Sequence, residues 1–203
     1  METAETADGI ASRLARMEAL HEIGQLPIRY ALAVDQRDLD AWVSLFVPDV
    51  DMGRRGRGRQ VLKDWIAPQV AGFYRSVHLI CGHRIELGPA GPTGPETASG
   101  HVYCRAEHEV GNRWIVMAIR YDDVYRRVSG EWFFERRAEG HWYKVDVTER
   151  PPEMDFDSWH NDRTGPALPQ REASWSTFWA ARGGAGQATA HPVDATAVGG
   201  SRA

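Results

Sequence analysis

Residues 99–126, SGHVYCRAEHEVGNRWIVMAIRYDDVYR, form two runs of alternating side chains separated by Gly111-Asn112. An alternating period is that of a half-buried strand, and a two-residue turn between two such runs joins them as an antiparallel hairpin. Working outward, a third run, Trp132 to Asp146, follows across Ser129-Gly130-Glu131, and an earlier one, Ser76 to Leu87, precedes across PAGPTGPETA. Short links between successive long strands predict an antiparallel meander.

Further towards the N-terminus the period becomes helical. Leu14, Met17, Leu20 and Ile23, then Ile28, Leu32 and Val43 with Leu45 and Phe46, predict three helical segments over about 10–24, 27–36 and 39–46. Pro27 is read as a first-turn residue and Asp38 as an N-cap. A short strand is expected at VPDVDM, residues 47–52, then the loop GRRGRGR, residues 53–59, and a helix from about Gln60 to Gly72. The predicted class is therefore α+β, a strongly curved, mainly antiparallel sheet packed on N-terminal helices.

The chain has 203 residues, room for one well-buried domain. The expected organisation is a flexible N-terminus over 1–9, the domain over 10–146, an irregular extension over 147–183 that carries Trp159, Trp175 and Trp179, and a disordered Gly/Ala-rich tail over 184–203. A net charge of -4 gives no overall attraction to nucleic acid or to an anionic membrane. With an acidic, polar N-terminus and no apolar run of about 18 residues, a cytoplasmic location is expected. Cys81 and Cys104 are read as buried free thiols, although a pairing across adjacent strands stays open. No metal-binding spacing of the HExxH kind and no Gly-rich nucleotide fingerprint is present, so neither metal nor cofactor is expected.

Two residues invite a chemical reading together: Asp35, at the end of a predicted helix, and His78, on the first long strand. A carboxylate bonded to one imidazole nitrogen fixes the tautomer and stabilises the imidazolium formed when the other accepts a proton. The plain alternative is a helix cap and a satisfied core histidine. His108 shares the less polar face of its strand with Val102, Cys104 and Ala106, while Tyr103, Arg105 and Glu107 take the other. A second histidine on a buried face calls for polar partners, which a ligand pocket supplies.

The order of YALAVDQRDLDAWVSLFVPDV, SVHLICG, GHVYCRAEHEV and RYDDVYRRVSGEWFFERR resembles the SnoaL-like branch of the nuclear-transport-factor-like superfamily, the cone-shaped α+β barrel, over residues 10–146. Within it the chain is most similar to scytalone dehydratase and hexachlorocyclohexane dehydrochlorinase. The resemblance implies a catalytic Asp35–His78 pair that removes a proton in an elimination, with His108 on the second histidine of scytalone dehydratase and Arg137 near an arginine of the dehydrochlorinase. Scytalone dehydratase has a tyrosine just before the aspartate, where this chain has Val34, and another near Met52 to Arg54, where none stands. A phenol donor would come instead from Tyr30, Tyr103 or Tyr121.

The leading expectation is a cofactor-independent, dehydratase-like lyase acting on a small hydrophobic or cyclic substrate. His78, Asp35 and His108 are its catalytic candidates, and Tyr30, Arg137, Tyr103 and Arg120 its substrate-binding ones. An isomerase or cyclase could use the same pair, and Arg120 with Asp122 on one strand face suggests an epoxide hydrolase. A noncatalytic subunit would have Asp35 and His78 pointing apart, or no cavity between them. GRRGRGR is read as a solvated loop, with no nucleic-acid partner and no membrane. The resemblance also implies a homo-oligomer.

Overall fold

The computed structural model of the chain describes residues 7–91 and 94–147, with Ala173 and Ala180. The chain divides into two units, Met1–Leu168 and Pro169–Ala203, and all elements named below belong to the first. The expected C-terminal extension and tail, with Trp159, Trp175 and Trp179, lie outside the described residues.

Helix α1 runs unbroken over Ala7–Gln36, with Pro27 inside it, where the sequence predicts a break. Pro27 lacks the N–H that would bond the carbonyl of Ile23. Ile23, Leu26 and Pro27 are nonetheless fully buried, so both halves of the helix are held on the same core. Helix α2, Leu39–Ser44, starts as predicted at Asp38, whose carboxylate accepts from the Ala41 N–H. VPDVDM forms no strand: Phe46 and Asp51 make only isolated bridges, to Phe134 and Arg57. Within the arginine-rich loop Gly53–Arg55 is a 3-10 turn, and helix α3 covers Arg59–Val70.

The long strands follow the alternating pattern closely: β1 Ser76–Leu87, β4 Thr97–Val110, β5 Arg113–Val128 and β6 Glu131–Asp146. A two-residue pair, β2 Ala90–Gly91 and β3 Gly94–Pro95, lies within the link read as a turn. The large sheet is antiparallel in the order β1-β4-β5-β6. The fold is α+β, a curled antiparallel sheet packed on N-terminal helices.

Three bulges set which side chains face inward, because one extra residue reverses the parity of all that follow. On β1 the extra residue is Cys81. Cys81 is accordingly exposed, not buried as expected, while Cys104 is buried, and both are free thiols. On β6 the extra residues are Glu135 and Trp142. The inner face then carries cross-strand rows: His78–Ala106–Met117–Lys144, then Ile80–Cys104–Ile119–His141, then Val102–Tyr121–Glu139. Two apolar clusters result. One joins α1, α2 and Leu62 of α3 to Tyr125, Trp132 and Phe134, and the other lies on the sheet around Ala106, Met117, Ile119 and Tyr121.

Candidate active site

Asp35 stands in the last turn of α1. The helix closes there with the Arg37 N–H bonded to the Val34 carbonyl (3.0 Å) and the Asp38 N–H to the Ala33 carbonyl (2.9 Å), Arg37 itself lying at φ 63°. This is a Schellman closure with arginine where glycine is usual. The arginine side chain offsets the backbone cost by clamping the helix end to the start of β1. Its Nη1 donates to Val34 O (2.7 Å) and Ser76 Oγ (2.9 Å), its Nη2 to Phe73 O (3.2 Å) and Tyr74 O (3.1 Å), and its guanidinium lies over the Phe73 ring at 4.7 Å.

The clamp brings Asp35 against the inner face of β1. Ser76 Oγ donates to Asp35 Oδ1 (2.7 Å), the His78 N–H donates to Oδ2 (2.9 Å), and His78 Nδ1 lies 2.7 Å from Oδ1. Burial pushes the Asp35 carboxyl up, but the bonds from His78 and Ser76 more than offset it and hold it below its ordinary value. An ionised carboxylate only accepts, so it is His78 Nδ1 that carries the proton of this bond. The His78 side chain is 7% exposed.

His108 is buried on β4, its ring 5.3 Å from that of His78 and stacked on Phe73 at 4.2 Å. Burial first pushes its pKa down to about 3, with the electrostatic influence of His78 in the same direction, that of Asp35 against it, and those of Arg37 and Lys144 adding to the fall, so at neutral pH it is an uncharged imidazole.

Both histidines line a cavity of about 310 Å³. Trp65, Ile66, Gln69 and Val70 of α3 contribute to its wall, with Phe73, Val34 and Tyr30, and the sheet supplies Met117, Ile119, Tyr121, Glu139, His141 and Lys144. Tyr30 is raised to about 12 by burial, opposed by Arg137, and burial likewise raises Tyr121. Both therefore remain protonated donors at neutral pH. Glu139 bonds His141 at 2.8 Å. Among the described residues no group of three or more His, Cys, Asp or Glu could hold a metal ion. No described helix is long and apolar enough to cross a membrane.

The other candidates fall elsewhere. Arg137 is bound bidentately by buried Asp123 (2.8 and 2.7 Å), which keeps it charged against the cost of burial. Its guanidinium lies 4.2–4.4 Å from the rings of Tyr30, Tyr121 and Phe134, beside an adjoining hollow that it lines with those two tyrosines. It thus backs the tyrosines and is not among the residues lining the histidine cavity. Tyr103 and Arg120 occupy the opposite face of the sheet, where alternation places them, around a separate depression with His101. Arg120 forks onto Asp122 (2.9 and 3.2 Å), and His101 Nδ1 lies 2.8 Å from the same carboxylate. The pair that suggested an epoxide hydrolase therefore lies outside the cavity. Sequence reasoning missed Ser76, Arg37, Phe73 and Lys144. Ser76 was accessible to it, two residues before His78 on the same face.

A curled antiparallel sheet on N-terminal helices, with a hydrogen-bonded Asp–His pair beside a partly polar cavity, defines the class of protein. The SnoaL-like domain matches residues 15–138, more than half of the chain, and the chain belongs to that family. Among solved structures it is similar to a hexachlorocyclohexane dehydrochlorinase from Novosphingobium barchaimii, with 20% identity, 68% of this chain and 97% of that chain covered, and a TM-score of 0.59. A provisional scytalone dehydratase from Novosphingobium aromaticivorans gives 19% identity, 68% and 94% coverage and a TM-score of 0.56. A protein from Kribbella flavida gives 17%, 66% and 97%, and 0.55. At these identities the likeness is one of fold. A comparison with curated proteins gives no match.

Proposed function

We propose that this SnoaL-like protein is a cofactor-independent lyase that eliminates water, or a similar group, from a small hydrophobic or cyclic substrate. The observation that carries the reading is the 2.7 Å bond from Asp35 to His78 Nδ1, which leaves Nε2 as the base of a residue lining the cavity. In this scheme Nε2 takes a proton from carbon next to an activating carbonyl, and Asp35 stabilises the imidazolium. The electrons of the broken C–H bond form the new double bond as the C–O bond breaks, and the departing hydroxide takes the proton from His78 to leave as water. Tyr30 and Tyr121 supply phenol donors for the carbonyl. His108, held neutral, hydrogen-bonds the leaving group and does not protonate it as an imidazolium. General acid–base steps of this kind contribute about 10²–10⁴ each.

The test is a panel of small cyclic β-hydroxy carbonyl compounds followed by mass spectrometry. Loss of one water's mass from a panel member is expected. A product of unchanged mass would replace the lyase by an isomerase using the same pair, and inertness of the whole panel counts against both.

A further inference from the structure

The long helix α1 is apolar on two opposite sides. At about 100° per residue, Ala19, Ile23, Leu26, Tyr30 and Val34 share the side that packs into the core. Ile10, Leu14, Met17, Ile28 and Leu32 fall on a stripe about 60° wide that stands nearly opposite. They are 56%, 53%, 66%, 45% and 53% exposed, so among the described residues none covers the stripe. Single exposed apolar side chains are ordinary, but a line of them along about 33 Å of helix marks a docking surface.

Two properties of the stripe say what docks there. The first is its narrowness. A helix that lies on a lipid surface carries a broad apolar face edged with Lys and Arg, whereas a thin line at i, i+4 and i+7 is the seam of one helix packed along another. The charges of α1 agree: three arginines stand against four acidic residues and there is no lysine, so nothing draws the helix to an anionic membrane. The second property is symmetry. Ile10 and Leu32 stand 11 residues either side of His21, and Leu14 and Ile28 stand 7 either side. A second α1 laid antiparallel on the first, with the two-fold axis at His21, therefore sets Ile10 of one copy level with Leu32 of the other and Leu14 level with Ile28. That is the self-complementarity an isologous dimer requires. The core side of each helix then faces away from the seam, and the two helix dipoles oppose each other.

We propose that the protein forms a two-fold dimer by antiparallel pairing of α1 through Ile10, Leu14, Met17, Ile28 and Leu32. The dimer does not depend on the lyase reading, since none of these side chains lines the histidine cavity.

The test is the mass of the full chain in solution, measured by light scattering as it elutes from a sizing column. The wild type is expected at twice the mass of a single chain. Leu14→Glu and Ile28→Glu each bring one charge per copy into the seam and should weaken dimerisation by about 10²-fold or more, because an unpaired charge resists burial. Circular dichroism establishes that each is folded, and Leu14→Ser or Ile28→Ser replaces a variant that is not. Orientation is read by cross-linking in a Cys81→Ser background, which removes the exposed native thiol. Leu14→Cys mixed with Ile28→Cys should give a disulfide between the two variants, and neither should link to itself. A single-chain mass for the wild type overturns the proposal, and binding of that monomer to phosphatidylserine vesicles would assign the stripe to lipid instead. An undiminished oligomer in the folded variants, or Leu14→Cys linking to itself as in a parallel pair, overturns it equally.

Discussion

The carboxylate of Asp35 accepts from Ser76 Oγ, the His78 N–H and His78 Nδ1, so its position and its charge are set by the same contacts. Arg37 is the residue that makes this possible, because it ties the end of α1 to Phe73, Tyr74 and Ser76. His108 has a consequence that can be measured. Its pKa in the fold, about 3, lies below its ordinary 6.5, so between these values the unfolded chain binds more protons than the folded one. The stability this histidine contributes is complete above about pH 6.5 and is lost as pH falls towards 3. Thermal unfolding followed from about pH 7 to pH 4 should show a steeper fall in midpoint for the wild type than for His108→Leu; parallel curves would refute the neutral, buried state.

At the scale of elements, α1 shows where periodicity stops being informative. Pro27 reads as the first turn of a new segment, yet the burial of Ile23 and Leu26 on a common core carries the helix through. Among the described residues Gly24 gains nothing from its missing side chain, since a Cβ built there would meet no atom outside its own helix within 4 Å. Gly24→Ala should therefore stabilise the protein by about 0.5–1 kcal/mol through helix propensity, read as a raised denaturant midpoint. An unchanged or lowered midpoint would mean that α1 is not continuous there. The strands, by contrast, were legible almost to the residue, because one apolar face and one polar face give an unmistakable period. Their bulges were not. Strict alternation from Phe134 puts Lys144 inside but Arg137, Glu139 and His141 outside. The Glu135 bulge turns those three inward and the Trp142 bulge restores the phase.

At the scale of the whole molecule, the α+β class, the order of the strands and the membership of His78 and His108 in one buried face could all be read from residue pattern and resemblance. The side chains that complete the cavity could not. Phe73 lies in a link without periodicity, and Arg37 acts through a left-handed backbone that sequence does not announce. Tyr103 was drawn in as a phenol donor and Arg120 by its shared face with Asp122, and strand parity carries both to the face opposite His108. What unites the molecule is the closure of α1 onto β1, which turns a helix-end aspartate and a strand histidine, 43 residues apart, into one bonded pair beside a cavity. The most direct test of that claim is turnover of a water-losing substrate by His78→Ala and Asp35→Asn, each shown to be folded by circular dichroism. The account predicts a loss of at least about 10²-fold in both, the scale of a general-base contribution. Wild-type turnover in either folded variant would contradict it.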